Sequence, residues 1–214
     1  MMQIEFQHVL PLPLADTPLA ADSVWKKESA FGTNGNYLVE APSGTGKTTL
    51  VSLLYGTRSD YEGTIRFDGE DIRRFSPAKW AKLRRETFSF VFQDLRLFPQ
   101  LTALENIRIK NELNETLSEE EIRAMATTLG IEHRLNQQCG KMSLGQQQRV
   151  AIIRALAQPF RFLLLDEPFS HLDEANTKKA CEMIAASCAK NNAGLLLTSL
   201  APDDHFSFNG KIII

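Results

Sequence analysis

The segment Ala41-Pro42-Ser43-Gly44-Thr45-Gly46-Lys47-Thr48-Thr49 constrains this chain more than any other. It follows the apolar run Tyr37-Leu38-Val39 and leads into a helical pattern carrying Leu50, Leu53 and Leu54, so it reads as strand, glycine-rich loop and helix. That order makes a P-loop. Small residues let backbone N–H groups turn inward around a phosphate, and the start of the helix adds its positive dipole end. Pro42, Ser43, Gly44, Thr45, Gly46, Lys47, Thr48 and Thr49 are the expected cradle. Lys47 is expected to reach the β- and γ-phosphates as a mobile point charge. Thr48 is expected to ligate Mg²⁺ through its hydroxyl, the octahedral ion keeping its other positions for phosphate oxygens and water. Ala41 stands where the pattern G-x-x-x-x-G-K-[ST] has its first glycine; alanine carries the smallest Cβ penalty, so the loop should survive.

A second apolar run, Phe162-Leu163-Leu164-Leu165, delivers the adjacent carboxylates Asp166 and Glu167. In extended geometry neighbouring side chains point to opposite faces, so the two can hold different jobs. Asp166 suits the magnesium side, accepting from Mg²⁺-bound water or Thr48, and Glu167 is the expected general base that orients the attacking water. Alone, such a pair is better read as a solvated acidic turn; its company with a phosphate cradle points to chemistry.

The runs at Tyr37, Phe162 and Leu195-Leu196-Leu197 lack alternation and read as strands buried on both faces of a mainly parallel sheet. Gly63 to Gly69 and Phe88 to Phe92 place apolar residues at every second position and read as strands with one wetter face. From about residue 100 to 158 the texture turns helical. Ser118 and Glu121 form an expected capping box for a helix carrying Ile122, Met125 and Leu129, ended by Gly130. With 214 residues and 43% hydrophobic content the chain has the size of one large domain. No run of about 18 apolar residues exists, and the start lacks a basic region before an apolar stretch, so neither a membrane span nor a signal peptide is expected. Balanced charge, 24 basic against 26 acidic residues, offers no field for nucleic acid or an anionic membrane. Cys139, Cys181 and Cys188 have no metal-ligand spacing and fit a reducing cytosol.

Four further segments resemble the nucleotide-binding domains of ABC transporters. Met142-Ser143-Leu144-Gly145-Gln146-Gln147-Gln148-Arg149 is similar to the LSGGQQQR signature, at the expected distance before Leu165-Asp166-Glu167-Pro168. Val91-Phe92-Gln93 resembles the Q-loop, Leu101-Thr102-Ala103-Leu104-Glu105-Asn106 the "LTxxEN" stretch, and Ser170-His171-Leu172-Asp173 the D-loop. The resemblance implies a P-loop α/β core (about 1–94 and 158–214) with a mainly parallel sheet, an N-terminal antiparallel β portion and an inserted α-helical subdomain (about 95–157). It also implies Mg²⁺-dependent ATP hydrolysis, with Gln93 touching Mg²⁺ and water. Ser143, Gly145 and Gln146 would bind the γ-phosphate held by a second subunit's P-loop, and Asp173 would lie at the dimer interface. The implied partners are that second ATPase subunit, identical or not, and a transmembrane permease docked near the "LTxxEN" stretch. The protein would then sit in the cytoplasm at the inner face of the cell membrane, touching it only through its partner. Regulation is expected from partners too, since only Lys211-Ile212-Ile213-Ile214 remains at the end.

The chain departs from the family pattern at Ala41, at Leu144 in place of a glycine, and at Leu200, where a switch histidine should follow the strand Leu195 to Ser199. Leucine cannot donate a hydrogen bond to a γ-phosphate. His205 lies further along and takes that place only if the loop is shifted; loss of the histidine favours slower turnover, whereas retention of Lys47, Asp166 and Glu167 favours a working ATPase. No aromatic in Leu10 to Ala21 is placed to stack on adenine, leaving Trp25 and Phe6 as poor substitutes. An ATP-dependent mechanical coupler, or the weaker half of an asymmetric pair, is the alternative reading. Trp80 with Leu83 reads as packing for the subdomain, and Cys181 and Cys188 as one helix face.

Overall fold

The computed structural model describes all 214 residues. The chain runs β1 (Gln3–Pro11), β2 (Ser29–Gly32), β3 (Asn36–Glu40), α1 (Lys47–Leu54), β4 (Tyr61–Phe67), β5 (Glu70–Asp71), α2 (Pro77–Glu86), β6 (Phe88–Val91), α3 (Ala103–Asn111), α4 (Glu119–Thr128), α5 (Leu144–Leu156), β7 (Phe162–Asp166), α6 (Glu174–Asn191), β8 (Gly194–Ser199) and β9 (Gly210–Lys211). Two sheets result. An antiparallel one has the order β2-β1-β4-β5, and a parallel one the order β6-β7-β8-β3-β9.

The uninterrupted apolar strands are explained by what covers the parallel sheet. Along β7, Leu163 and Leu165 face a core shared with α3, α4, α5 and α6, whereas Phe162 and Leu164 face a second core built from α1 and the antiparallel sheet. Leu195 and Leu197 of β8 join the first core and Leu196 the second. A strand buried on both faces has no position for a polar residue, so period-two alternation vanishes. Strand β6 corrects the sequence expectation of a wetter face. All four of its residues are buried, because it pairs in parallel with β7 and Ser89 satisfies its hydroxyl by donating to the Ala155 carbonyl of α5 at 2.6 Å. Strand β4 does keep partly open positions, as its alternation predicts.

Helix boundaries follow local chemistry. Ser118 and Glu121 form the reciprocal capping box at α4, and Gly130 (φ 68°) lies just beyond its end. Cys181 and Cys188 are both buried on α6. Trp80 packs otherwise than expected. Its ring lies 6.0 Å from Phe67 and 5.4 Å from Phe75, so it fastens α2 to the antiparallel sheet and not to the helical segment.

Helices α3, α4 and α5 all lie between β6 and β7, and one buried cation ties the last of them to the loop that follows β6. Arg154 of α5 is 8% exposed, and its guanidinium donates to the carbonyls of Leu95 (2.5 Å) and Arg96 (2.6 Å). Those two residues adopt successive left-handed conformations, φ 58° and 47°, which cost non-glycine residues about 1–2 kcal/mol each. Charge-assisted bonds to both carbonyls offset that strain. Arg154→Met, which strands two carbonyls in the interior, is expected to lower unfolding free energy by about 3 kcal/mol in urea titration. Wild-type stability in that variant would show that the clamp is dispensable.

Candidate functional site

The carboxyl ends of β3, β6, β7 and β8 lie along one edge of the parallel sheet, where α/β proteins bind ligands. After β3 the chain turns through the glycine-rich loop and starts α1 at Lys47. Gly46 makes that entry possible. Its φ is 106°, and a Cβ there would lie 2.7 Å from the Leu14 side chain. Lys47 is 5% exposed, folds back to donate to the carbonyls of Ala41 (2.6 Å) and Pro42 (2.8 Å), and comes within 3.3 Å of Glu167 Oε1. Thr45 braces the loop through a bond to the Pro42 carbonyl at 2.8 Å.

Three segments distant in sequence meet here. Thr48 Oγ1 donates to Gln93 Oε1 at 3.2 Å, and Gln93 Nε2 donates to Glu167 Oε2 at 3.4 Å. With Lys47 beside the same carboxylate, Thr48, Gln93, Glu167 and Lys47 form one connected cluster. It lines a cleft of about 250 Å³ together with Ser43, Gly44, Gly46 and Thr49, and with Pro13 and Leu14 at its apolar edge. Pro42 and Thr45 serve as loop bracing and do not line that cleft.

The acid pair does not continue in extended geometry, which corrects the simple alternation expected of it. β7 ends at Asp166, and Glu167 takes a left-handed φ of 47°. Asp166 is 1% exposed. Burial pushes its carboxyl above the ordinary carboxylate range, and the Thr198 hydroxyl, which donates to Oδ1 at 2.7 Å, opposes that rise. Its Oδ2 is buried without a partner. A free carboxylate oxygen, the Thr48 hydroxyl and the Gln93 carbonyl oxygen are hard donors, a set that fits Mg²⁺ better than a softer metal.

Ser143, Gly145 and Gln146 lie elsewhere, at the start of α5. Ser143 Oγ accepts from Gln146 N (3.3 Å) and Gln146 Oε1 accepts from Ser143 N (3.1 Å), a capping box. Gly145 is needed for close approach, since a Cβ would sit 2.6 Å from the His171 carbonyl oxygen. None of the three lines the P-loop cleft of its own chain. Leu144 is 54% exposed on the same turn. Asp173 caps α6, accepting from Asn176 N at 2.8 Å. In the "LTxxEN" stretch, Thr102 and Glu105 cap α3 reciprocally, and buried Asn106 bonds both backbone groups of Phe98. Those polar residues are thus occupied internally, and the Phe98 side chain faces outward.

Leu200 projects from the turn after β8, 57% exposed. His205 pairs with Asp203 at 3.2 Å, its ring lies 6.3 Å from Phe169, and it does not line the P-loop cleft. Trp25 and Phe6 are core residues with rings 6.1 Å apart. Four participants are not announced as such by the sequence. Pro13 and Leu14, in a short turn, have no periodicity to announce them. Buried Gln148 accepts from His171 N at 2.8 Å and donates to the Glu167 carbonyl at 3.4 Å, tying α5 to the acid segment. Thr198 looked like one more residue of a buried strand.

A parallel sheet with a P-loop, a glutamine and an acid pair converging at its strand ends defines the P-loop NTPase class. Within it, the sequence model of the ABC transporter family matches residues 37–170, and this chain belongs to that family. It is 37% identical over 170 residues to the ABC transporter ATP-binding protein YxdL of Bacillus subtilis (strain 168), covering 78% of this chain and 61% of that one. It is 37% identical over 147 residues to the molybdate/tungstate import ATP-binding protein WtpC of Pyrococcus horikoshii, covering 67% and 41%. To the thiamine import ATP-binding protein ThiQ of Escherichia coli O157:H7 it is 35% identical over 168 residues, covering 76% and 69%. The matched segment therefore spans less than two thirds of YxdL and of WtpC. Among solved structures, the dimeric bacterial ABC transporter cassette MJ0796 superimposes with a TM-score of 0.77 at 25% identity, covering 92% of this chain and 88% of that one.

Burying the Asp166 carboxylate with one oxygen unpartnered is a cost to the fold. Asp166→Asn is accordingly expected to raise the melting temperature in metal-free buffer by about 2–4 °C, near 1 kcal/mol for a chain of this size. A lower melting temperature would mean that the carboxylate stabilises the fold as it stands.

Proposed function

We propose that this chain is an ATP-hydrolysing subunit of an ABC transporter, with ATP held against the P-loop and hydrolysed with Mg²⁺. The observation that carries the reading is the chain of contacts, Thr48 to Gln93, Gln93 to Glu167 and Glu167 to Lys47, at 3.2–3.4 Å. Ser43 to Thr49 would bind the phosphates, with the Lys47 ammonium leaving its loop carbonyls for phosphate oxygens, which a charge-assisted contact favours. Thr48, Gln93 and Asp166 would hold Mg²⁺, which when bound neutralises charge developing on the phosphates. Glu167, aimed into the cleft by its left-handed turn, would orient and deprotonate the attacking water.

Ser143, Gly145 and Gln146, which do not line their own chain's cleft, fit the site of a second subunit. MJ0796, similar in fold, has been solved as a dimer and also in a post-hydrolysis state bound to ADP and Pi. ATP would thus sit between two chains, identical or not, and its binding energy would drive closure. ThiQ and WtpC are named import ATP-binding proteins, which supports an import system for the whole assembly; such a system would pair this chain with a transmembrane permease. No helix here is long and apolar enough to cross a membrane, so the chain would act at the inner face of the cell membrane through that permease. Turnover would be slow, because neither Leu200 nor His205 brings a hydrogen-bond donor into the cleft.

Steady-state ATP hydrolysis by the purified protein tests the reading. Glu167→Gln is expected to reduce kcat by about 10²-fold or more while ATP-dependent dimers accumulate in light scattering. Hydrolysis unaffected by that change would remove Glu167 from the reaction and the reading with it.

A further inference from the structure

Strand β8 supplies no wall of the P-loop cleft, yet one of its side chains bonds the Asp166 carboxylate and the backbone N–H of Glu167. Thr198 is wholly buried, 0% exposed. Its hydroxyl donates to Asp166 Oδ1 at 2.7 Å and accepts from the Glu167 N–H at 3.1 Å. A hydroxyl has a single proton, and here it goes to Asp166 while a lone pair meets Glu167, so the two bonds coexist and fix each other's direction.

Sheet register makes the arrangement exact in position. Thr198 pairs with Asp166 of β7 on one side and with Val39 of β3, two residues before the glycine-rich loop, on the other. The bond to Oδ1 sets the roll of the Asp166 carboxylate and leaves Oδ2 buried and without a partner. The bond from Glu167 N–H is reinforced by the Thr198 carbonyl, 3.3 Å from the same nitrogen. Together they hold the left-handed turn (φ 47°) that brings the Glu167 side chain to Lys47 and Gln93. Filling space would need only a side chain of this shape, which valine has; a buried hydroxyl bonded to both members of an acid pair needs a further reason.

We propose that Thr198 is a positioning residue for ATP hydrolysis, its hydroxyl orienting Asp166 as a metal donor and Glu167 as the base. The proposal rests on the roles given to those carboxylates above. Groups that orient metal-binding and reacting side chains are worth about 10–100-fold in metal affinity or activity.

The test compares wild type, Thr198→Val, which keeps the shape, and Thr198→Ser, which keeps the hydroxyl. Mn²⁺ binding in the presence of ADP is followed by electron paramagnetic resonance, and ATP hydrolysis is measured alongside it. Thr198→Val is expected to weaken Mn²⁺ binding about tenfold or more and to lower kcat by about the same factor, with KM for ATP little changed. Thr198→Ser should restore both to near wild type. If valine fails to fold by circular dichroism, Thr198→Ala takes its place in the same comparison. Wild-type Mn²⁺ affinity and kcat without the hydroxyl would overturn the proposal, whatever the change in melting temperature, and would leave the roles of Asp166 and Glu167 standing. Absence of Mn²⁺–ADP binding by the wild type would overturn both.

Discussion

The site depends on the threading of β8 between β3 and β7. β3 runs into the phosphate cradle and β7 into the acid pair, about 120 residues later, and the strand that separates them in the sheet comes later still in the chain. Register then aligns Val39, Thr198 and Asp166 across three strands, and Val91 of β6 stands opposite Leu165. Phosphate-binding loop, glutamine and carboxylates consequently emerge at one edge. Strand pairing, more than any contact between the functional side chains, decides that they meet.

Burial on both faces makes that pairing rigid and makes polar groups inside it expensive. Lys47, Asp166 and Arg154 are all 8% exposed or less, and each has a reason to be there. Arg154 holds the carbonyls of Leu95 and Arg96, so α5, which begins at Ser143, ends by gripping the stretch that follows Gln93. Gln148 on the same helix reaches the carbonyl of Glu167 and the N–H of His171. One rigid helix therefore touches both the glutamine segment and the acid segment. A displacement of its first turn by a second subunit would be felt at both, through hydrogen bonds and not through apolar packing alone.

The sequence made some of this visible. Glycine, lysine and threonine at fixed spacing after an apolar run identify the cradle, and the absence of alternation in Phe162 to Leu165 reveals a strand covered on both faces. The capping box at Ser118 was readable for the same local reason. Properties set by distant chain were not. Alternation at Phe88 to Phe92 suggested an open face, but β7 and α5 close it, and Trp80 joined the antiparallel sheet because Phe67 and Phe75 are its neighbours in space. Thr198 carries no signal of its own, since its partners lie 31 and 32 residues away. The exposure of Leu200 and the Asp203 contact of His205 likewise arise from how the loop after β8 settles.

If the Lys47, Thr48, Gln93 and Glu167 cluster is one nucleotide site, its lysine carries part of the affinity for ATP. Isothermal titration of the protein with ATP and Mg²⁺, before and after Lys47→Ala, tests it most directly. Binding by the wild type is expected, with a loss of at least about tenfold, near 1.4 kcal/mol, in the variant, because a charge-assisted contact to phosphate is removed. Equal affinity in the two proteins would contradict it, since the phosphates would then lie somewhere other than this cleft.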